Sequence, residues 1–239
     1  MTSGVVIGEP EAGGRSARKR LAILDAATTI FLHDGYLGAN MDDIAAMSAV
    51  SKQTVYKHFA SKEALFIAIV TRMANDASDT VHNDMPMVAD GSDLAAYLER
   101  YAERQLMVVL TPRLMQLRRL VIGEVGRFPE LGRVLFAGGP KRAMAALAAA
   151  FAQLAEQGLL ALDDPAVAAG HFNWLVMAAP LNRAMLLGDD AIPGPAELRR
   201  HAVDAVRVFL AAYGNRDVGD LGSKRDLGST RDLGNRRRL

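Results

Sequence analysis

The chain has 239 residues, and its 28 Lys and Arg nearly balance 27 Asp and Glu, so a formal net charge of +1 gives no overall field that would attract nucleic acid or membranes. The absence of Cys excludes disulfides, thiolate catalysis and Cys-ligated metal sites, and it fits a reducing cytoplasm. Half of the residues are hydrophobic, yet no apolar run reaches the ~18–20 residues that span a membrane, so we expect a globular cytoplasmic protein.

The amino-terminal segment changes character at Arg15. Residues 1–14 contain four Gly and one Pro and show no helical periodicity, which predicts a disordered arm without a signal peptide. After Arg15 the apolar residues recur at helical spacing and form one stripe: Ile23, Leu24, Ala27, Ile30 and Phe31. Gly35 follows where a helix C-cap belongs, so the first helix is predicted to end there.

Two short helices and a long one are predicted next. Asn40 is a suitable N-cap for a helix whose inner face carries Met41, Ile44, Ala45 and Ser48. The sequence "SAVS" (48–51) forms a turn, and its last residue caps a third helix. Ser61 caps a fourth helix that runs to about Asp79. The three helices before residue 62, two of them joined by a tight turn, predict a helix-turn-helix.

The rest of the chain is also predicted to be helical, which makes the fold all-α. Periodic segments separated by Pro or Gly cover about 92–110, 113–126, 140–157, 164–187 and 195–213. Pro180 falls inside an apolar helical stretch and is expected to kink it. In the final segment, 214–239, "DLG" recurs every six residues before "NRRRL", which predicts a disordered low-complexity tail. The triple Arg could touch DNA phosphates, but a solvated tail is the simpler interpretation.

The third helix has one apolar side and one cationic, amide-rich side. Val55 and Phe59 are one turn apart and are expected to face inward against Ile44 and the first helix. The opposite side carries Gln, Thr and Lys, which pair with base edges, and Tyr, which suits phosphate oxygens. Residues 15–62 contain seven basic and four acidic residues, so the surplus of positive charge is concentrated here. Composition alone is equally compatible with an ordinary solvated helix face.

The residue order decides between these interpretations. The stretch "GYLGANMDDIAAMSAVSKQTVYKHFASKEALFIAIV" (35–70), with "IFLHDGY" (30–36) overlapping its start, resembles the DNA-binding domain of the TetR/AcrR family of repressors. The resemblance implies that the third helix is a recognition helix in the major groove of double-stranded DNA. One departure stands out: the family usually has Gly in the turn where this chain has Ala49. If that position needs a left-handed backbone, Ala costs on the order of 1 kcal/mol.

The family's DNA contacts carry over by position to nine residues: Asn40, Ser51, Lys52, Gln53, Thr54, Tyr56, Lys57, His58 and Lys62. Gln53 and Thr54 match positions that contact bases. The two Lys of the third helix match contacts to bases or phosphates, and the aromatic pair of that helix matches contacts to phosphates or base edges. The remaining three stand at helix starts and match clamps on the DNA backbone.

The stretch "LRRLVIGEVGRFPELGRVLFAGGP" (117–140) resembles the AefR-like branch of TetR C-terminal domains. This implies a helix-turn-helix domain at 15–62 and a helical ligand-binding and dimerisation domain at 63–213. It also implies a homodimer on a palindromic operator, released by a small effector, with no cofactor or membrane partner. Two apolar stripes could form the dimer interface, unless both pack inside one monomer: Leu198, Ala202, Ala205, Val206, Phe209 and Ala212 on the last helix, and Phe172, Leu175, Ala179 and Leu186 on the helix before it.

A ligand pocket is predicted from large, soft or aromatic residues with two polar neighbours: Met107, Met115, Phe136, Phe151, His171, Asn173, Trp174 and Met177. Plain core packing is the alternative at every position. Because this set holds no fixed charge, the implied effector is apolar, aromatic or lipid-like.

Two other functional classes compete with a regulator. The sequence does not indicate an enzyme, because the five His form no HExxH pair and GxSxG, P-loop and Rossmann glycine patterns are missing. A helical small-molecule-binding protein with a non-functional DNA-binding head is the other alternative. The intact Lys52, Gln53, Thr54 and Tyr56 favour the regulator.

Overall fold

The computed structural model describes residues 11–82 and 94–215, with side chains from residue 14 in the first range. This part of the chain is helical, as predicted, and contains no strand beyond an isolated antiparallel bridge between Leu160 and Gly214. The helices are α1 (Glu11–Gly38), α2 (Met41–Met47), α3 (Lys52–His58), α4 (Lys62–His82), α5 (Leu94–Val109), α6 (Pro112–Glu124), α7 (Pro129–Phe136), α8 (Arg142–Glu156), α9 (Pro165–Leu187) and α10 (Pro195–Tyr213). A π-helical turn, Ala137–Lys141, joins α7 to α8, and a 3₁₀ turn, Asp189–Ala191, follows α9.

Both predicted terminal boundaries shift. Helix α1 begins at Glu11, so residues 11–14 are helical where an arm was predicted, because two Gly in a helix cost only about 1 kcal/mol each and do not forbid it. At the other end, Gly214 and Asn215 are fixed where the tail was predicted to start. The Asn215 backbone N–H donates to the Leu159 carbonyl at 3.2 Å, and its side-chain amide donates to the Gly158 carbonyl at 2.8 Å. The predicted arm at 1–10 and the repeats after residue 215 lie outside the described residues.

Packing divides the chain into two compact units at positions other than the predicted boundary after Lys62. Among the described residues, the first unit combines 11–80 with 111–141, and the second combines 81–82, 94–110 and 142–215. Helix α4 continues without interruption to His82, and α6 packs against α1. The functional division into domains at 15–62 and 63–213 therefore stays a prediction.

The core of the first unit orients α3. Ile44 and Val55 are fully buried and Phe59 is 5% exposed, so the predicted inward face of α3 is confirmed. An aromatic cluster closes the same core, with the Phe31 and Phe66 rings stacked at 4.9 Å and Tyr36 packed at 4.7 Å from Phe128. Gly35 interrupts α1 just before Tyr36 with φ 73° and ψ 177°, a conformation that essentially only Gly adopts.

The core of the second unit is built from α5, α8, α9 and α10 around three fully buried rings, Phe151, Phe172 and Phe209. Pro180 lies inside α9, which continues through it, and the expected kink stays a prediction. Proline has no N–H, so it leaves the carbonyl four residues earlier, on Val176, without its helical donor. His201 of α10 fills this place, because its Nε2–H donates to the Val176 oxygen at 2.8 Å.

The described residues show neither a membrane span nor a metal site. No helix among them is both long and apolar enough to cross a membrane. Within the same ranges, no three His, Asp or Glu side chains lie close enough together to hold a metal ion.

Candidate functional site

The turn between α2 and α3 is a Schellman motif with an unusual residue at its centre. The Val50 N–H donates to the Ala45 carbonyl at 3.1 Å, and the Ala49 N–H donates to the Ala46 carbonyl at 3.2 Å. These are the two hydrogen bonds that define the motif, whose left-handed position is normally Gly. Ala49 occupies that position with φ 53°, and no other non-Gly residue in the described ranges has positive φ. The turn therefore does need a left-handed backbone at Ala49, the case in which the sequence analysis expected a cost.

Helix α3 is short and is oriented by its two ends. The Ser51 side chain caps it by accepting from the Thr54 N–H at 3.2 Å, and Phe59 at the other end is buried. With Val55 pointing into the core, the remaining positions divide by exposure. Lys52, Gln53, Tyr56 and Lys57 are exposed, whereas Thr54 and His58 are half-buried. Four polar side chains of α3 thus lie on its outer side, and Thr54 and His58 lie at the border with the core.

Two of these side chains already have partners within the chain. The Thr54 hydroxyl lies 2.8 Å from the Ser51 hydroxyl, and Lys52 Nζ lies 3.0 Å from Asp42 Oδ2. The hydrogen bond and charge of Asp42 raise the pKa of Lys52, so this ammonium stays protonated. Both members of the ion pair are exposed to water, where such pairs are weak. A phosphate oxygen can therefore replace Asp42 without leaving a buried charge.

The three residues at helix starts are also engaged. Asn40 Oδ1 accepts from the Asp42 N–H at 3.0 Å and caps α2. Lys62 Nζ donates to the Leu37 carbonyl at 3.2 Å and lies 5.0 Å from the centre of the Tyr36 ring. Burial lowers the pKa of Lys62. Asn40, Ser51 and Lys62 thus hold the ends of α1 to α4 in place, and their contact with DNA stays a prediction.

The eight residues predicted to line a ligand pocket are distributed over both units and differ in burial. Met115 and Phe136 belong to the first unit, where Met115 is fully buried and Phe136 is 53% exposed. In the second unit, Asn173 is buried and its Oδ1 accepts from Gln105 Nε2 at 2.9 Å. Met177 is also buried, Met107 is half-buried, and His171 and Trp174 are exposed. That these eight residues line one effector pocket therefore stays a prediction, because spacing along a helix does not show which of several faces each residue occupies.

One predicted residue, Phe151, does line a cavity inside the second unit. The cavity has a volume of about 160 Å³ and is lined by His82, Tyr97, Leu98, Tyr101, Ala146, Leu147, Ala150 and Phe151. Its polar groups include a pair that the sequence did not single out, Tyr101 Oη and His82 Nε2, 3.0 Å apart. Burial raises the pKa of Tyr101, so this phenol stays protonated. The spacing of Tyr97 and Tyr101 on one helical face was the available sequence signal.

The stripe predicted for the last helix packs inside the monomer rather than facing a partner. Leu198, Ala202 and Phe209 are buried against α5 and α9. In the second predicted stripe, on α9, Phe172 is buried, but Leu175 and Leu186 are exposed. Trp174 and Leu175 of α9 and Val208 of α10 form an exposed apolar surface that we call the α9–α10 face. A shallow depression of about 460 Å³ lies on this face, with His171 and Tyr213 hydrogen-bonded at 2.5 Å in its wall.

Comparison with known proteins gives matches over most of the chain. Residues 23–69 match the family described as bacterial regulatory proteins, tetR family, and residues 96–215 match the AefR-like transcriptional repressor C-terminal domain. The HTH-type transcriptional repressor Rv3405c of Mycobacterium tuberculosis is 30% identical over 190 residues, which cover 79% of this chain and 87% of that protein.

Two solved structures extend the likeness to the fold. A TetR-family transcriptional regulator from Mesorhizobium loti is similar with a TM-score of 0.78 and 38% identity, over 84% of this chain and 98% of that one. The flavonoid-responsive regulator FrrA is similar with a TM-score of 0.68 and 28% identity, over 84% of this chain and 99% of that one. The matched regions include the helix-turn-helix and every lining residue of the cavity except His82, which lies between the two matches.

Proposed function

The chain belongs to the TetR family of transcriptional regulators, which are not enzymes, and we propose that it is a repressor released from a palindromic operator by a small, mainly apolar effector. The observation that carries this proposal is the geometry of α3. Val55 and Phe59 anchor the helix in the core, while Gln53, Tyr56 and Lys57 are exposed on its outer side. A helix held in this way can enter the major groove without rearrangement.

The outer side chains of α3 have different roles in DNA recognition. Gln53 reads a base through its amide, which can pair with both hydrogen-bonding positions of an adenine edge. Tyr56 and Lys57 donate to phosphate oxygens, which fix the register of the helix but carry no sequence information. Lys52 exchanges Asp42 for a phosphate when DNA is bound. Thr54 is held by Ser51, so it offers its methyl group to a thymine rather than its hydroxyl.

A homodimer is required because one recognition helix reads too few base pairs for specificity. The α9–α10 face supports it, since Trp174 is 62% exposed and Val208 is 45% exposed. Exposed apolar patches of this kind are unusual on monomers and typical of association sites. A Trp174→Arg variant is expected to sediment as a monomer at micromolar concentration. A variant that sediments as a dimer would count against this face.

The cavity in the second unit supports an effector of limited size. Its volume of about 160 Å³ is close to the ~150 Å³ of an apolar cavity that holds benzene. Tyr101 and His82 place a hydroxyl and an imidazole nitrogen together at its wall, which suits one hydroxyl or carbonyl group. FrrA responds to flavonoids, which are phenolic compounds. A full flavonoid exceeds this cavity, so the proposed effector is a single aromatic ring with one polar substituent.

The effector would act by selecting between conformations. Helix α4 begins at Lys62, four residues after α3 ends, and its last residue, His82, lines the cavity. A ligand that prefers a shifted position of His82 therefore biases the position of α4, the helix that follows α3 in the chain. The shift in operator occupancy is limited by the difference in ligand affinity between the two conformations.

The test begins with binding-site selection on the full chain, followed by gel shifts on the selected duplex at two salt concentrations. Specific binding should weaken steeply with salt and keep its sequence preference. Gln53→Ala should change the preferred bases, whereas Tyr56→Phe should weaken all sequences alike. The absence of a selected sequence would favour the alternative of a binding protein with a non-functional head.

The effector is tested separately on the operator complex. Monocyclic phenols should release the wild-type protein, and Tyr101→Phe should raise the concentration needed for release. Benzene, which has the ring without the hydroxyl, is the matched control ligand. The wild type and Tyr101→Phe should respond to it equally. A Tyr101→Phe variant that responds to phenols like the wild type would exclude this cavity as the effector site.

A further inference from the structure

The wall of the cavity in the second unit carries a second phenol besides Tyr101. Tyr97 belongs to α5, lines the cavity and is 9% exposed. It precedes Tyr101 by one helical turn, so the two side chains are neighbours on one face of α5, with Cβ atoms about 5–6 Å apart. The effector contacts proposed above use Tyr101 and its partner His82, and they leave the hydroxyl of Tyr97 without a role.

The two hydroxyls differ in their partners. Tyr101 Oη lies 3.0 Å from His82 Nε2. Tyr97 Oη, in contrast, forms no hydrogen bond with any group in the described ranges, 11–82 and 94–215. A buried hydroxyl without a partner destabilises the protein, because it has lost its hydrogen bonds to water. The cavity is the space from which a partner can reach this oxygen, since the rest of the side chain is packed inside the protein.

The Tyr97 oxygen is also accessible to a small molecule. Within the part of the chain that the structure describes, the unpartnered side-chain atom that is sealed from solvent is Gln105 Oε1, one turn beyond Tyr101 on α5. Tyr97 Oη is unpartnered but not sealed in this way. A ligand in the cavity can therefore approach the hydroxyl of Tyr97 without first opening the core.

The chemistry of this hydroxyl specifies what it can bind. Burial raises the pKa of Tyr97, and the charge of Arg100 offsets only part of that effect. The phenol is therefore protonated at neutral pH and can donate a hydrogen bond to an acceptor oxygen. The described lining of the cavity contains neither Lys nor Arg, so a carboxylate would be buried without an ion-pair partner. A neutral carbonyl oxygen avoids that cost and still accepts from a hydroxyl.

We propose that Tyr97 is a specificity-determining residue of the cavity, and that it donates to a neutral carbonyl group on an aromatic ring whose own hydroxyl meets Tyr101 and His82. This inference rests on the proposed effector function of the cavity and narrows the effector class. The class becomes single-ring phenols that carry an aldehyde or ketone group. An alkyl group of the same size fills the same space but leaves the hydroxyl of Tyr97 without a partner.

The experiment measures ligand affinity by isothermal titration calorimetry on the full chain without DNA. The ligands are matched pairs, meta- and para-hydroxybenzaldehyde against meta- and para-methylphenol, which differ mainly in the acceptor oxygen. Tyr97→Phe removes the hydroxyl under test and keeps the ring. Tyr101→Phe is the comparison variant, because its hydroxyl is proposed to meet the phenol group that all four ligands share.

The wild type should bind at least one of the two aldehydes about 2- to 12-fold more tightly than the matched methylphenol, the net value of one hydrogen bond. Tyr97→Phe should abolish this preference and leave the affinity for methylphenols unchanged, whereas Tyr101→Phe should weaken aldehydes and methylphenols alike. The thermal midpoint of ligand-free Tyr97→Phe should stay the same or rise, because the lost hydroxyl had no partner. A lower midpoint would show that this hydroxyl is bonded within the protein and would overturn the proposal.

The other contrary outcomes are distinguishable from one another. Equal affinity of the wild type for aldehydes and methylphenols would exclude a role for Tyr97 and leave the cavity as the effector site. A preference for aldehydes that persists in Tyr97→Phe would assign the acceptor contact to another group. Tighter binding of para-hydroxybenzoate than of the aldehyde would overturn the neutral class. If none of these ring compounds binds, the effector function of the cavity fails, and this inference fails with it.

Discussion

The left-handed residue between α2 and α3 gives the sharpest test of the structure. Ala49 has φ 53°, where an L-residue with a Cβ costs about 1–2 kcal/mol. Replacing it with Gly removes this strain but gives the unfolded chain more freedom, which costs about 0.4–1 kcal/mol. Ala49 is exposed, so removing its methyl group loses no packing energy. The net expectation for Ala49→Gly is a gain of about 0.5–1 kcal/mol in the free energy of unfolding.

The measurement is urea unfolding followed by circular dichroism, with the midpoint compared at constant slope. Ala46→Gly is the matched control, because Ala46 is also exposed but lies inside α2. The same change of residue there should cost about 1 kcal/mol, since Gly is a poor helix former. Opposite signs at the two positions would confirm the reasoning. If Ala49→Gly destabilises the protein as Ala46→Gly does, the strain attributed to this turn is absent.

Three further predictions concern single groups. Removing the imidazole in His201→Ala leaves the Val176 carbonyl beside Pro180 without a donor, so the free energy of unfolding should fall by about 1–3 kcal/mol in denaturant titrations; an unchanged midpoint would contradict this role. Because burial raises the pKa of Tyr101 above its unfolded value near 10, the folded state keeps the proton longer, and stability should fall as pH rises above about 10. Tyr101→Phe should reduce that loss of stability at alkaline pH, and identical stability–pH profiles for the variant and the wild type would refute the role of Tyr101. Gly35→Ala should destabilise by about 1–3 kcal/mol through backbone strain alone, since no atom lies within 4 Å of the added Cβ; a neutral result by thermal unfolding would show that α1 can straighten.

Local patterns predicted much of the DNA-binding unit. Asn40, Ser51 and Ser61 cap the helices they were expected to cap, with Ser61 accepting from the Ala64 N–H at 3.0 Å. Val55 and Phe59 are buried as their spacing required. These features depend on neighbours within a few residues, and short-range hydrogen bonds and helical periodicity are visible in the order of the residues.

The second unit was predicted less well because its features depend on distant segments. The stripe containing Leu198 and Phe209 had an apolar side that could face either a partner or its own monomer, and its burial against α5 and α9 decided the matter. The cavity joins His82 of α4 and Tyr101 of α5 to residues of α8. No spacing within one helix shows that such groups meet.

By itself, the sequence determined that this chain folds into helices, where the recognition helix begins, and which of its sides carries the polar groups. The tertiary structure decided that Ala49 is left-handed, that Lys52 and Lys62 already have partners, and that Trp174 rather than the stripe of the last helix is exposed. The reason is the range of the interactions involved. Caps and periodic faces are set by residues three or four positions apart, whereas burial and ion pairing are set by which helices pack together, and many packings satisfy the same periodicity.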